Sequence, residues 1–355
     1  MKGKSRTRQA RGAEDEFMAH SHQQARWCIV VADAAAPDWV DSAQTHVQMA
    51  PAPVQYCGIG EPTTMLQKAL HRARRITHAN RILVTAAEVH RSHWEPALWF
   101  IPTEHRFLSE SPGWSSFTTA AAVLSIAART PSASVTILPA RCYVADEWTL
   151  TVALHTALSN MAFADDGVVT LGMANGADEL DEDYLIVDDL RDDRPIVPVS
   201  VTARRPVDWV ARHLVGRGAL MASGIYIGHA DMLAAVLYKY WPKRTHEVLR
   251  HLARSFSPGV ENRFPAGLVE QALRAAPHSF WKHPPWLPLR ALRVAHCGLS
   301  SLRSGRAIDQ ILASQQQGGI LTAVPDTPCN IPPRGSQDSR GLIRVRERKA
   351  REPSR

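Results

Sequence analysis

Between residues 26 and 173, short runs of apolar and β-branched residues alternate with stretches whose apolar positions recur every three or four residues. Trp27-Cys-Ile-Val-Val-Ala32 predicts a buried strand, and residues 64–76 a helix with Met65, Leu66, Ala69, Leu70, Ala73 and Ile76 along one face. Strand 81–85, helix 91–100, a short strand around Phe107 and Leu108, and an alanine-rich helix 118–128 closed by Arg129 and Pro131 follow. Then come strand 134–138, helix 146–161 with Asp146 as its N-cap, and strand 168–173. Strand and helix in repetition predict an α/β fold, a doubly wound and mostly parallel sheet.

After Gly176 the pattern loosens. Segments 184–187, 196–203, 220–228 and 287–295 read as strands, with an acidic run at 188–194; segments 207–215, 231–240, 243–255, 266–275 and 305–313 read as helices. The C-terminal part is therefore expected to be more helical. Beyond Gly318 the chain is rich in Pro, Gly, Ser and charge, which predicts a disordered tail. The expected organisation is a basic tail over 1–25, one folded domain over 26–315 with halves 26–175 and 176–315, and a basic tail over 316–355.

Composition changes this picture little: 355 residues, 45% hydrophobic and 21% charged, describe an ordinary globular chain and exclude collagen-like and disulfide-scaffold classes. Charge changes it more. Of the net +7, residues 1–12 and 340–355 carry +5 each, which leaves residues 13–339 at −3. Any nucleic-acid or anionic-membrane contact is thus expected through the tails only, and solvated, flexible ends are the plainer reading. Cys28, Cys57, Cys142, Cys297 and Cys329 are odd in number and widely spaced, without a C-x-x-C, which predicts free thiols in a reducing compartment. No apolar run reaches the roughly 18 residues of a membrane span, so a cytoplasmic location is expected.

Ligands of an open α/β sheet sit outside the carboxyl ends of the strands. Here the first such loop, Ala32-Asp-Ala-Ala-Ala-Pro-Asp-Trp39, has no glycine to let backbone N–H groups approach a pyrophosphate closely. His90 and His93 share a spacing suited to one helix face but have no carboxylate partner in the pattern, so a surface or capping role is expected. Cys57 and Cys142 read as buried inert thiols, and the acids Asp178, Glu179, Asp181, Glu182 and Asp183 as a solvated loop. Trp281 and Trp286, among prolines, read as a packed connection.

Several segments carry a resemblance in chain order. Trp27-Cys-Ile-Val-Val-Ala32 is similar to W-A-I-V-L-A-G-G-x-G-[ST]-R-L, Pro53-Val-Gln-Tyr-Cys57 to P-K-Q-[FY]-C, and Thr64-Met-Leu-Gln-Lys-Ala-Leu-His-Arg-Ala73 to S-L-L-x-x-[TA]-L-x-R-A. Arg81-Ile-Leu-Val84 with His90, Glu110-Ser-Pro112, Val135-Thr-Ile-Leu-Pro139 and Val168-Val-Thr-Leu-Gly172 continue the series. Arg204-Arg-Pro206 stands where F-V-E-K-P belongs and Gly218-Ala-Leu-Met-Ala-Ser-Gly224 where G-x-x-W-N-S-G belongs. Over residues 26–312 the chain thus resembles the sugar-1-phosphate nucleotidyltransferases, the mannose-1-phosphate guanylyltransferases (GDP-mannose pyrophosphorylases) most of all.

The resemblance implies a Rossmann-like sheet of the glycosyltransferase-A type, with a nucleotide-binding half at 26–175 and a sugar-phosphate half at 176–315. It implies nucleotidyl transfer from an NTP, GTP by likeness, to a sugar 1-phosphate, helped by Mg²⁺ and giving a sugar nucleotide such as GDP-mannose. By position it assigns Ala32, Asp33, Ala34, Ala35, Gln55 and Glu110 to the nucleotide, and Arg205, Ser223 and Gly224 to the sugar phosphate. The chemistry at these positions has changed. Glycines of the signature fall at Asp33, Ala34 and Ala36, its Arg at Asp38, and the Lys of P-K-Q at Val54. The two carboxylates that hold metal in the family fall at Arg141 and Ser301, so no metal ligand set is expected. A guanidinium at 141 brings the charge of an ion without its bridging geometry, and Arg205 keeps the charge of the family Lys while Arg204 replaces its Glu. Two readings follow: a guanylyltransferase-like enzyme with an eroded site, or a catalytically inactive homologue that binds a sugar nucleotide or a protein partner such as a catalytic paralogue.

Overall fold

A computed structural model describes residues 26–33, 52–110, 112–113, 115–161, 167–174, 182–187, 195–240, 242–255, 257–267, 289–302, 305–314 and 322–323. In chain order its strands are β1 (Arg26–Val31), β2 (Cys57–Gly58), β3 (Ile82–Ala87), β4 (Arg106–Ser109), β5 (Ser134–Pro139), β6 (Val168–Met173), β7 (Tyr184–Val187), β8 (Ile196–Ala203), β9 (Leu220–His229), β10 (Asn262–Phe264), β11 (Leu289–Val294) and β12 (Thr322–Ala323). The helices are α1 (Met65–Ile76), α2 (Arg91–Trp94), α3 (Ser115–Arg129), α4 (Glu147–Ser159), α5 (Asp208–Gly216), α6 (Ala230–Tyr240), α7 (Pro242–Ser255) and α8 (Gly305–Ser314).

Local chemistry accounts for most of these boundaries. Thr64 caps α1 with a full capping box, its hydroxyl accepting from the Gln67 N–H while the Gln67 side chain accepts from the Thr64 N–H. Asp146 caps α4 by accepting from the N–H groups of Trp148 and Thr149. The helix expected over 91–100 stops after one turn and continues as a 3₁₀ segment, Glu95–Leu98. Pro96 is the reason, because it brings no N–H and its ring crowds the preceding turn.

The α/β class expected from the alternation is found. Ten strands form one sheet in the order β10-β4-β3-β1-β5-β9-β6-β11-β8-β7, and β2 and β12 form a separate two-stranded ribbon. Parallel pairing is confined to the run β10-β4-β3-β1-β5 and to β6-β11. Strand β9 runs antiparallel to both its neighbours, and β8 and β7 close that edge antiparallel, so the sheet is mixed where the repeat predicts a mostly parallel one. A strand that returns on its neighbour needs no crossover helix, and the helices expected at 207–215, 231–240, 243–255 and 305–313 are found as α5 to α8. Within the expected tail, Thr322–Ala323 pair with Cys57–Gly58. The expected helix 266–275 lies outside the described residues beyond its first two positions, as do Trp281 and Trp286.

Both faces of the sheet are covered. Along β1, Cys28 and Val30 enter a core with α1 and α4, while Trp27 and Ile29 enter a second core with α3, α6 and α7. The alanine-rich α3 is buried from Phe117 through Ile126 because it lies between the sheet and the helices α6 and α7. A third, smaller core joins Val54, Cys57 and Met65 to Tyr143, Leu302 and α8, and thereby ties the loop before α1 to the segment after β11. No described helix is long and apolar enough to cross a membrane.

Candidate functional site

The carboxyl ends of β1 and β5 lie side by side, with Ala32 N–H donating to Thr85 O and Ala140 N–H to Val31 O, each at 2.9 Å. The chain then leaves β5 through Arg141 and Cys142 to Tyr143, which exchanges both backbone hydrogen bonds with Ser300 at 2.9 Å. In such an antiparallel bridge the flanking residues face each other as Cys142 with Ser301 and Arg141 with Leu302, so the segments that carry Arg141 and Ser301 run side by side with the two residues one position out of register.

Gly298 permits this approach. Its φ of +60° suits glycine, and a Cβ there would stand 2.6 Å from Ala145 Cβ. Further along, Ser301 N–H donates to Glu182 Oε1 at 2.9 Å and its hydroxyl donates to the same oxygen. Glu182 is buried, which corrects the expectation of a solvated acidic loop at this residue; Asp178, Glu179 and Asp181 lie outside the described residues. A carboxylate leaves water only where hydrogen bonds or charge replace its hydration, and Ser301 supplies two such bonds. Glu182 escaped the sequence reading because an acid among acids carries no local mark of burial.

Asp183, next in the chain, accepts from Arg205 N–H at 3.2 Å, and its carbonyl accepts from Ala222 N–H at 2.8 Å. Arg205 is exposed and sits at φ +32°, a backbone conformation costly to a residue with a Cβ. After Ala222, strand β9 bulges: its register against β6 jumps between Thr170 and Gly172, and Thr170 Oγ1 donates to Ile225 O at 2.9 Å inside the bulge. Gly224 takes φ +72° there and lies against Pro139, while the buried Ser223 hydroxyl accepts from Ile225 N–H. Bulges of this kind re-aim side chains beside active sites. The segments that carry Arg205, Ser223 and Gly224 thus adjoin the Glu182–Asp183 segment and, at Pro139, the end of β5 that leads to Arg141.

The nucleotide positions fare differently. Ala32 is buried and its carbonyl accepts from Gln55 Nε2 at 3.1 Å and from Tyr56 OH at 3.0 Å, so Gln55 serves the backbone of the first loop. Asp33 is fully buried; Ser109 donates to its Oδ2 at 2.7 Å and Thr118 reaches the same oxygen at 3.4 Å. The carboxylate is turned into the protein against β4 and α3, whereas the resemblance assigns Asp33 to the nucleotide. Burial and the charge of Asp33 push the Tyr56 phenol up. Glu110 is exposed and accepts from Ala266 N–H at 2.8 Å, apart from this gathering. Ala34, Ala35, Ala36 and Asp38 lie outside the described residues.

His90 and His93 flank the Tyr56 ring, edge-on at 5.7 Å and stacked at 5.9 Å between centroids. Burial and the neighbouring His93 hold the His90 imidazole below its usual range. Burial pushes the Cys142 thiol up to about 12 and the Cys57 thiol up to about 11, so both are protonated and inert at neutral pH. Among the described residues no three His, Cys, Asp or Glu side chains come together as a metal-binding group.

No protein-family model and no curated protein matches the sequence. Solved structures do resemble the fold. One is described as mannose-1-phosphate geranyltransferase from Thermus thermophilus, similar over 81% of this chain and 79% of its own at 16% identity and a TM-score of 0.60. Another is mannose-6-phosphate isomerase from Helicobacter pylori, similar over 78% of this chain and 99% of its own at 12% identity and a TM-score of 0.54. At such identities the likeness is one of fold: the chain shares the α/β architecture of these sugar-phosphate proteins.

Proposed function

We propose that this chain is a sugar-nucleotide-binding protein of the nucleotidyltransferase type, related in ligand to the mannose-1-phosphate guanylyltransferases, whose turnover is strongly reduced. Its ligands are GDP-mannose or GTP and a sugar 1-phosphate. The observation that carries the reading is that the segments bearing Arg141, Ser301, Arg205, Ser223 and Gly224 adjoin one another through the Tyr143–Ser300 bridge, the Ser301–Glu182 and Arg205–Asp183 bonds and the β9 bulge. The exposed positive charge at Arg205 supports a sugar phosphate as ligand. The groups that stabilise a transferring phosphoryl group are replaced: Asp33 is committed to Ser109 and Thr118, and Val54 is a buried apolar residue. Removing one transition-state donor typically costs about 10² to 10³ in rate, so the loss of several points to binding without efficient transfer.

Calorimetric titration with GTP, GDP-mannose and mannose 1-phosphate, beside a pyrophosphate-release assay, tests this. Saturable binding of GDP-mannose with little or no pyrophosphate release is expected. Turnover near the enzyme median of about 10 s⁻¹ would overturn the inactive reading, and no binding of any of the three would overturn the sugar-nucleotide reading. A partner role has its own observation. Trp148 and Val152, one turn apart on α4, are 74% and 46% exposed, an apolar stripe suited to a protein partner such as a catalytic paralogue.

A further inference from the structure

Helix α5 (Asp208–Gly216) turns its two sides to different media. Ala211 is buried, and Leu214 and Val215 pack against the core that α1 and α4 cover. The helical period then brings Trp209, Arg212 and His213, at i, i+3 and i+4, to the opposite side together, and all three are exposed. Trp209 is 72% exposed, and Val207, the residue that starts the helix as its N-cap, 62%. Arginines frame this apolar tip. Arg204 precedes Val207 in the turn from β8, Arg212 lies on the outer face itself, and Arg217 closes the helix as its C-cap. All three are exposed, and their side chains make no hydrogen bond or ion pair among the described residues. The carboxylates of these segments are Asp208, in the first turn of α5, and the half-buried Asp183, which accepts from the Arg205 N–H. With Arg205 included, the four guanidinium groups of Arg204, Arg205, Arg212 and Arg217 stand against the two carboxylates of Asp183 and Asp208, so this face is positive although residues 13–339 sum to −3.

The composition of the face selects its partner. A nucleic acid engages arginine and stacks on tryptophan, but it has no ring to offer an exposed valine. An anionic bilayer engages all three: its phosphates attract the guanidinium groups, its headgroup layer accommodates the amphipathic indole, and the acyl boundary beneath takes the valine. We infer that α5 docks the folded body on an anionic lipid surface, with Val207 and Trp209 entering the headgroup layer and Arg204, Arg212 and Arg217 resting on its phosphates. The helix lies on the membrane and does not span it. Charge along the sequence leaves such contact to the tails alone, whereas α5 gives the folded body a face of its own. The two act together, because one short amphipathic segment binds reversibly and stable attachment takes a second signal, here the basic tails. This docking does not depend on the sugar-nucleotide reading.

Co-sedimentation of the full chain with phosphatidylcholine vesicles, with and without phosphatidylserine, tests this, and amide hydrogen exchange locates the contact. Binding that requires phosphatidylserine, with protection of the 208–216 amides, is expected. Arg212→Gln/Arg217→Gln should lower the partition coefficient about 25-fold, at roughly fivefold for each charge, with an unchanged thermal midpoint. Trp209→Ser should lower it also at high salt, where the charges are screened and the apolar contact is not. Lys243→Gln/Arg250→Gln is the charge-matched control: both residues are exposed on α7, which packs on the other face of the sheet from α5. Beyond the screening length their loss should change partitioning by less than about twofold. Absence of vesicle binding, a partition coefficient unchanged in Arg212→Gln/Arg217→Gln, or an equal loss in the two double variants overturns the inference, the last because it reports only the charge of the whole chain. Protection of α5 by a single-stranded oligonucleotide and not by vesicles assigns the face to nucleic acid, and protection that rises with protein concentration in the absence of vesicles assigns it to a second copy of the chain; either result overturns the lipid assignment.

Discussion

Arg72 and Glu147 meet side-on: Arg72 Nε lies 3.0 Å from both Glu147 oxygens and Nη2 lies 2.7 Å from Oε1, while Nη1 donates to Cys142 O at 2.8 Å. One guanidinium therefore joins α1 to the first turn of α4 and grips the backbone beside Arg141. Arg72 is only 3% exposed, so its charge has little water to fall back on, whereas Glu147 keeps 30%.

Arg72→Ala is expected to destabilise the protein by about 3 kcal/mol, the lower end for breaking a buried ion pair, because Glu147 regains water while the Cys142 carbonyl loses its donor. Arg72→Met fills most of the space and should cost less. Urea denaturation of the two variants measures both, and an Arg72→Ala midpoint equal to wild type would show that the pair contributes nothing.

Two glycines of the site should respond unequally to the same substitution. Gly224→Ala meets only an ordinary contact with Pro139 at 3.8 Å and so suffers the left-handed backbone alone, about 1–2 kcal/mol. Gly298→Ala adds a clash at 2.6 Å with Ala145 Cβ on top of its own φ of +60°. The expected order of thermal midpoints is wild type, Gly224→Ala, Gly298→Ala, and the reverse order for the two variants would refute the close approach of the 298 and 145 segments.

Stability should fall on mild acidification. Burial, then the nearby Arg129 charge, hold the His105 imidazole below its usual range, and His90 is lowered by burial and His93. A lowered native pKa means that the unfolded chain binds the proton more readily, so stability rises with pH through the window below the unperturbed value of about 6.5. Denaturation midpoints are expected to drop between neutral pH and roughly pH 5.5, and His105→Gln should flatten that slope. A midpoint independent of pH over the window would contradict the burial of His105 and the partial burial of His90.

Arg205 holds a left-handed φ that glycine adopts freely. Arg205→Gly is expected to leave stability unchanged or raise it by about 1 kcal/mol while weakening binding of mannose 1-phosphate. Calorimetry beside a thermal melt separates the two effects. A variant both less stable and equally able to bind would remove Arg205 from the sugar-phosphate role.

Much of the local structure was legible because its causes are local. The Thr64 and Asp146 caps, the apolar face of α1 and the strands 184–187 and 196–203 follow from residue types within a few positions of each other. The break at Pro96 has an equally local cause, a proline inside a helical pattern, but the reading carried the helix through it to residue 100. Strand β10 was not legible, because Asn262-Arg-Phe264 has no alternation of its own and exists as a strand through pairing with β4.

The candidate site divides along the same line. The order along the chain named the positions Arg141, Arg205, Ser223, Gly224 and Ser301, and the bridge at Tyr143–Ser300, the Ser301–Glu182 bonds, the Arg205–Asp183 bond and the β9 bulge connect the segments that carry them. What their side chains face was not readable. Sequence by itself determined the alternation of strands and helices, their caps and the residue types at the site. Tertiary structure alone decided that Asp33 turns inward to Ser109 and Thr118, that Glu182 is buried and accepts from Ser301, and that Tyr143 is bridged to Ser300. The reason is that burial of a charge and opposition across a bridge belong to pairs of residues far apart in the chain. Such pairs exist only once β1, β5 and the segment after β11 have been brought into register.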